Sequence, residues 1–280
     1  MVSGTFFENV IKGLEKKAMK ILPDSLKRRL LRVLLKELCL SRKGSFRVIM
    51  NTEWSLRNLK ESGFSPEAII DCGAYVGDWT RMIKNIFQNS KVLMVEANPE
   101  KEKSLQEVQA EYPQETDYAI SLLGAENRMN ARFFKMETGS SVFEEQSNVP
   151  RDILLLPMKT LDEVATEKGF LGSSLIKLDV QGYEIEVLKG ATRVLERAEL
   201  VLLEVSLLQY NKDAPLFGEV VHFMNSRGFV VYDFGALVRW GADNTLLQAD
   251  LFFVKKDSAL RPQFFDFQLS GLNPAGTPRL

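Results

Sequence analysis

One stretch constrains this 280-residue chain more than any other: Ile69 to Thr80, reading Ile-Ile-Asp-Cys-Gly-Ala-Tyr-Val-Gly-Asp-Trp-Thr. Apolar Ala68, Ile69 and Ile70 run into Asp71, glycines follow at 73 and 77, and an amphipathic helical pattern begins at Trp79. That order predicts a buried strand, a tight glycine turn and a helix start.

Dinucleotide sites use the same strand, turn and helix, so chemistry has to separate the readings. A GxGxxG fingerprint started at Asp71 or at Gly73 keeps one glycine of three. A carboxylate at the strand tip would also repel a pyrophosphate at the helix N-terminus. The same carboxylate favours a ligand that brings an ammonium and a sulfonium and no phosphate, which describes S-adenosylmethionine. A second buried strand, Lys91-Val-Leu-Met-Val-Glu96, ends in an acid 19 residues beyond Gly77, about the spacing at which a nucleotide site sets an acid on the ribose hydroxyls. Asp71 would then hold the methionine end and Glu96 the ribose. A lone glycine turn can also do no more than pack a helix on a strand, and Glu96 at this distance favours binding. A third strand is expected near Tyr118 to Ser121, its end beside the adenine. The candidate cofactor residues are Asp71, Gly73, Ala74, Tyr75, Gly77, Asp78 and Thr80 at the first turn, Glu96, Ala97 and Asn98 at the second strand, Ser121 at the third and Asp179 at the fourth.

Four blocks carry a resemblance: Asp-Cys-Gly-Ala-Tyr-Val-Gly-Asp-Trp-Thr, Val-Glu-Ala-Asn-Pro, Ile-Lys-Leu-Asp-Val-Gln-Gly-Tyr-Glu-Ile-Glu-Val-Leu-Lys-Gly-Ala at 176 to 191, and Leu-Leu-Glu-Val-Ser at 202 to 206. Together they look like the FkbM family of class I S-adenosylmethionine-dependent methyltransferases, over about residues 50 to 256, with the 176 to 191 block the most specific. The resemblance implies an α/β fold, a Rossmann-like seven-stranded, mostly parallel sheet with helices on both faces. It also implies O-methylation, often of sugar hydroxyls, so a sugar or glycoconjugate is the expected substrate. Gln181 stands where many relatives carry Glu, so a role that needs an acid at that position is not carried over to this chain. Ser140 and Ser141 match a Ser-Ser element of such proteins, although a pair of serines is also an ordinary turn.

Charge is divided unevenly. Residues 1–48 hold 12 Lys or Arg against 4 Asp or Glu, the remainder 24 against 33, and the formal net charge of −1 gives no reason to expect nucleic acid. Phe7, Val10, Ile11, Leu14, Ala18 and Ile21, then Leu26, Leu30, Leu34 and Leu38 beyond Pro23, recur at helical spacing beside Lys27, Arg28, Arg29 and Arg32. Residues 1–48 therefore read as a basic amphipathic helical arm. It either packs on the catalytic domain or a second subunit of a homo-oligomer, or lies on anionic lipid at the inner face of the membrane. No apolar run approaches the ~18 residues of a transmembrane helix. Cys39 and Cys72 fall on opposite sides of a predicted boundary, so a disulfide is not expected and a cytoplasmic location fits.

A helix over Asn51 to Gly63 should deliver the chain to the first strand, opening a methyltransferase domain over 49–256. Within it, 124–158 reads as a β-hairpin insertion, from short alternating pieces at Ala131 to Phe134 and Ile153 to Met158. Thr160 with Glu163 makes a capping box. Ser174 to Asp179 is a fourth strand whose tip faces the crevice beyond the carboxyl ends of the sheet, and Ala198 to Val205 a fifth, carrying Glu204 in an apolar run. Phe229 to Asp233 and Ala249 to Lys255 follow, an antiparallel pair if the family topology holds, and residues 257–280 read as a tail.

The candidate catalytic residues are Asp179, Glu204 and Glu184. Asp179 is the first choice for a base on the acceptor hydroxyl. Glu184 serves equally as a helix-start residue, and Glu204 is expected at the crevice because an unpartnered charge in a buried strand is costly. A Mg²⁺ held by Asp179 and Glu204 is an alternative that is not favoured. His222, the one histidine, sits among Val220, Val221 and Phe223, where packing is expected. Two other functions stay open: a protein that binds the cofactor without transfer, and a nucleotide-dependent oxidoreductase, which the missing glycines disfavour.

Overall fold

In β1 (Ala68–Cys72) and its neighbours, consecutive apolar residues point to opposite faces of the pleat, so both faces must be covered. A computed structural model describes residues 51–136, 139–143, 151–209, 211–239, 243 and 245–261 of the chain. The expected helical arm, Cys39 and most of the tail lie outside the described residues. Those described all belong to one unit, Met50–Gln263.

The central sheet contains β1, β2 (Lys91–Glu96), β3 (Thr116–Ile120), β7 (Leu175–Leu178), β8 (Leu200–Ser206), β9 (Phe229–Arg239) and β10 (Leu246–Lys255), in the order β3-β2-β1-β7-β8-β10-β9. The first five run parallel, and β10 is antiparallel to both β8 and β9. This is the Rossmann-like seven-stranded, mostly parallel sheet expected from the sequence. Chain order reverses between β1 and β7, which opens a crevice beyond the tips of those strands.

One face of the sheet buries Ile69, Val92, Leu175, Leu200 and Phe252 against α1 (Thr52–Glu61) and α2 (Asp78–Ile86), through Leu56, Leu59, Ile83 and Ile86. The other face buries Ile70, Leu93, Ile176, Val201 and Phe253. It is covered by α4 (Leu161–Lys168), α5 (Glu184–Lys189), α6 (Thr192–Arg197) and α7 (Phe217–Ser226), through Val164, Leu188, Val194 and Met224. A short 3₁₀ turn, Pro99–Lys101, leads into α3 (Glu102–Glu111), which packs Leu105 and Val108 on Met94 and Ala74. The Asn51 side chain caps α1 by accepting from Trp54 N at 3.1 Å, and Thr160 caps α4 by accepting from Glu163 N at 3.2 Å.

The insertion is more than a hairpin. β5 (Arg128–Lys135) and β6 (Asp152–Lys159) pair antiparallel as expected, but β4 (Leu122–Leu123) adds in parallel to β6, giving a three-stranded sheet in the order β4-β6-β5. β9 runs six residues beyond its predicted end at Asp233. His222 is exposed on α7 rather than packed, because Val220 and Met224 hold the buried side of that helix. Among the described residues no helix is long and apolar enough to cross a membrane.

Candidate functional site

The crevice holds a cavity of about 170 Å³ where the tips of β1, β2 and β7 meet the insertion. Gly73 closes its floor. With φ +74, its chain folds back so that Gly73 N and Ala74 N both donate to Val95 O, at 2.9 and 3.1 Å. A Cβ there would lie 1.9 Å from Asp179 O, so only glycine lets β1 and β7 approach this closely.

Glu96 forms the opposite wall. It is 8% exposed, and each carboxylate oxygen takes one backbone N–H: Oε2 from Tyr75 and Oε1 from Asn98, both at 2.8 Å. A carboxylate has about four acceptor positions, so this leaves capacity for further donors. Burial raises its carboxyl above the ordinary value, and the N–H groups of Asn98 and Tyr75 and the charge on Lys177 pull against that rise. Tyr75 adopts φ 51, and Lys101 Nζ stands 4.4 Å from the centre of its ring. Ala97 and Ser121 also line the cavity, and Ser121 N donates to Glu96 O at 2.8 Å.

Asp71 departs from its expected place. It is fully buried and is not part of the cavity wall. Its Oδ2 accepts from Thr80 Oγ1 at 2.8 Å and its Oδ1 pairs with Lys177 Nζ at 3.1 Å. The reason is register. Asp71 and Lys177 are cross-strand partners on β1 and β7, so their side chains share the face that α2 covers. Lys177 Nζ also reaches Gly73 O at 3.1 Å and Asp179 Oδ2 at 3.5 Å. Burial alone would lower the lysine's pKa, but the attraction of Asp71 and Asp179 outweighs it and holds the ammonium protonated. The charge assigned from sequence to the methionine end is therefore neutralised inside the protein. Lys177 itself, a lysine within an apolar strand, was the signal that could have revealed this.

The remaining turn residues build the support. Gly77, φ 80, begins α2, and a Cβ there would meet Val108 Cγ2 at 2.5 Å. Asp78 points outward with its side chain 85% exposed, Thr80 is spent on Asp71, Ala74 is buried against α3, and Asn98 caps the 3₁₀ turn by accepting from Glu100 N.

Asp179 reaches the cavity, its side chain 35% exposed. Gln181, φ 54, donates from Nε2 to Asp179 Oδ1 and to Glu204 Oε1, each at 2.9 Å, and Gln248 Nε2 donates to the same Glu204 oxygen at 2.7 Å. Glu204 lies behind Gln181, outside the cavity wall. Burial, then the charges of Asp179, Glu184 and Asp250, push its pKa up to about 9, so it is protonated at neutral pH. The Mg²⁺ alternative does not fit these residues, because an amide N–H occupies the position between the two carboxyls that the ion would need. Glu184 is 2% exposed and accepts at Oε1 from Val180 N and Gly182 N, at 3.0 and 3.2 Å. It pins the loop between β7 and α5 and does not line the cavity; burial pushes its pKa up to about 7.

Sequence reasoning missed the apolar walls, Leu122, Leu123, Phe133, Val142 and Tyr183. Phe133 could have been found from the alternation in β5, whereas Tyr183 and Val142 arrive through loops. Ser140 and Ser141 both line the cavity, and Ser141 Oγ donates to Gln181 O at 2.9 Å.

The profile described as the methyltransferase FkbM domain matches residues 71–231, more than half of the chain. No curated protein matches the sequence. Among solved structures, methyltransferase FkbM from Methylobacillus flagellatus KT is 18% identical with a TM-score of 0.45; the match covers 67% of this chain and 44% of that one. This chain thus accounts for less than half the length of that protein. Precorrin-6y C5,15-methyltransferase from Geobacter metallireducens GS-15 is 10% identical, TM-score 0.41, with 72% and 87% covered. Magnesium protoporphyrin IX methyltransferase from Synechocystis PCC 6803, solved with bound S-adenosylmethionine, is 11% identical, TM-score 0.41, with 73% and 77% covered.

Proposed function

Because the chain belongs to the FkbM methyltransferase family, we propose that it transfers a methyl group from S-adenosylmethionine to a hydroxyl of a sugar or glycoconjugate. One observation carries the choice of cofactor. The charged residues lining the cavity are Glu96 and Asp179, and among the described residues no lysine or arginine lines it. Such a cavity opposes a pyrophosphate and accepts a ligand with cationic groups.

The residues fit that cofactor. Glu96 has acceptor capacity left for the ribose hydroxyls, Ser121 and Ala97 form the wall beyond it, and Asp179 is the acid at the other side. The cofactor supplies a methyl group on a sulfonium. The chain's own part is to position the acceptor and to take its proton, and positioning alone can account for ~7–11 kcal/mol of barrier. Asp179 is the base: Gln181 and Lys177 fix its two oxygens at 2.9 and 3.5 Å, and its side chain opens on the cavity. A carboxylate held this way accepts the hydroxyl proton as the new bond forms.

Calorimetric titration with S-adenosylhomocysteine, NAD and NADP tests the cofactor, and transfer of label from S-adenosylmethionine to sugars tests the acceptor. Saturable binding of S-adenosylhomocysteine alone is expected. Binding of NAD with no response to S-adenosylhomocysteine would overturn the assignment.

A further inference from the structure

A second cavity, of about 450 Å³, opens beside the first and shares Val142 and Tyr183 with it. β5 is the edge strand of the three-stranded sheet, so its alternation sends Phe133 to the first cavity and Phe134 to the second. The two differ in sign. Arg128, Arg132 and Lys212 line the second against a single acid, Asp213, whereas the first holds two acids.

Its walls are held in place. Phe143 and Tyr183 meet edge to face at 5.1 Å, and the Arg132 guanidinium lies 5.2 Å from the centre of the Phe134 ring. The loop carrying Lys212 is tied by Asn211 Nδ2, which donates to Gln181 O at 2.8 Å, the same carbonyl that accepts from Ser141 Oγ. Arg128 is partly engaged, pairing with Glu126 at 2.7 Å, while Arg132 and Lys212 make no ion pair among the described residues. Aromatic faces beside planar guanidinium donors suit a ring that is apolar on one face and carries an anion on its edge.

We propose that this second cavity is the acceptor subsite and that the acceptor is a sugar bearing an anionic group, a phosphate or a carboxylate, bound through Arg132 and Lys212. It rests on the methyl transfer proposed above, with the reacting hydroxyl turned past Tyr183 towards Asp179 and the anion left on the positive side.

The test is a set of binding titrations on the full chain with glucose, glucuronate and glucose 1-phosphate, each with and without S-adenosylhomocysteine. The wild type is compared with the Arg132→Gln/Lys212→Gln double variant, and S-adenosylhomocysteine affinity is measured in both. At least one anionic sugar should bind about tenfold or more tightly than glucose, the preference should shrink in the double variant, and S-adenosylhomocysteine affinity should stay within about twofold. A response to glucuronate and not glucose 1-phosphate assigns the anion as carboxylate, and the reverse as phosphate. Equal binding of all three sugars, no binding of either anion, or a preference that survives the double variant overturns the proposal. Failure of S-adenosylhomocysteine to bind would instead strike the methyl-transfer reading, since the sugar titrations are also run without it.

Discussion

Replacing Glu204 by Gln should make the protein more stable at alkaline pH while leaving it nearly unchanged in mild acid. In the folded chain Glu204 keeps its proton up to about pH 9. In the unfolded chain it loses that proton near the ordinary glutamate value of about 4.3. Between those values the native state binds one proton more than the unfolded state, so stability falls as pH rises, by at most about 1.4 kcal/mol per pH unit. From about pH 5 to about pH 8 that is roughly 4 kcal/mol, and because Glu204 is not fully buried and Asp179, Glu184 and Asp250 relax when it is removed, about half of it, roughly 2 kcal/mol, should survive as a difference. Glutamine has the shape of the protonated acid, and its carbonyl still accepts from Gln181 Nε2 and Gln248 Nε2. The two proteins should therefore match within about 0.5 kcal/mol near pH 5. Urea denaturation followed by circular dichroism reads the difference directly: near pH 8 the Glu204→Gln midpoint should lie about 1 M higher. Stability profiles that run parallel across this range would mean that Glu204 is ionised in the fold, and the account of its cluster would fail.

Three further outcomes are expected. Gly73→Ala should lose about 3 kcal/mol, the left-handed conformation adding to a collision with Asp179 O, whereas Gly169→Ala, at φ +77 with open space around it, should lose only about 1 kcal/mol in the same denaturation assay. Glu96→Gln leaves either Tyr75 N or Asn98 N without its acceptor, so both stability and S-adenosylhomocysteine affinity should fall, the affinity more than about tenfold; calorimetry showing unchanged affinity would remove Glu96 from the site. Lys177→Met strands the Asp71 carboxylate in the core and should lower stability by about 3–5 kcal/mol, and the Asp71→Asn/Lys177→Met double variant should recover most of it; a double variant no better than the single would refute the pairing.

The sheet was legible because its residues obey a local rule. Two-sided apolar strands such as Lys91–Glu96 and Leu200–Ser206 announce themselves, as does the Thr160 cap. β4 was not legible: two residues, Leu122 and Leu123, have no period, and only pairing with β6 makes them a strand. The outer part of β9 was missed for a related reason, since Phe234, Val238 and Arg239 are exposed, Gly235 interrupts the run, and no alternation of burial marks it as a strand. Of the expected site residues, Gly73, Tyr75, Glu96, Ala97, Ser121 and Asp179 line one cavity because each stands at a strand tip or in the first turn, positions that chain order fixes. Asp71, Glu204 and Glu184 do not line it, because where an acid points depends on register and on what faces it, and those are long-range facts.

That difference moves the electrostatic argument without reversing it. From sequence, repulsion of phosphate was assigned to Asp71, yet Asp71 and Lys177 form a neutral pair on the covered face of the sheet. A neutral buried pair contributes little field at the cavity, so discrimination has to come from Glu96 and Asp179 at the wall. Lys177 then has two separate effects on the chemistry. By neutralising Asp71 it lets β1 carry an acid within the core, and by standing 3.5 Å from Asp179 Oδ2 it fixes that oxygen beside the cavity. Glu204 acts on Asp179 through Gln181, and while protonated it adds no like charge; ionised above about pH 9 it would oppose the charge on Asp179. Asp179 is thus held by Gln181 at one oxygen and by Lys177 at the other, and it opens on the cavity together with Glu96.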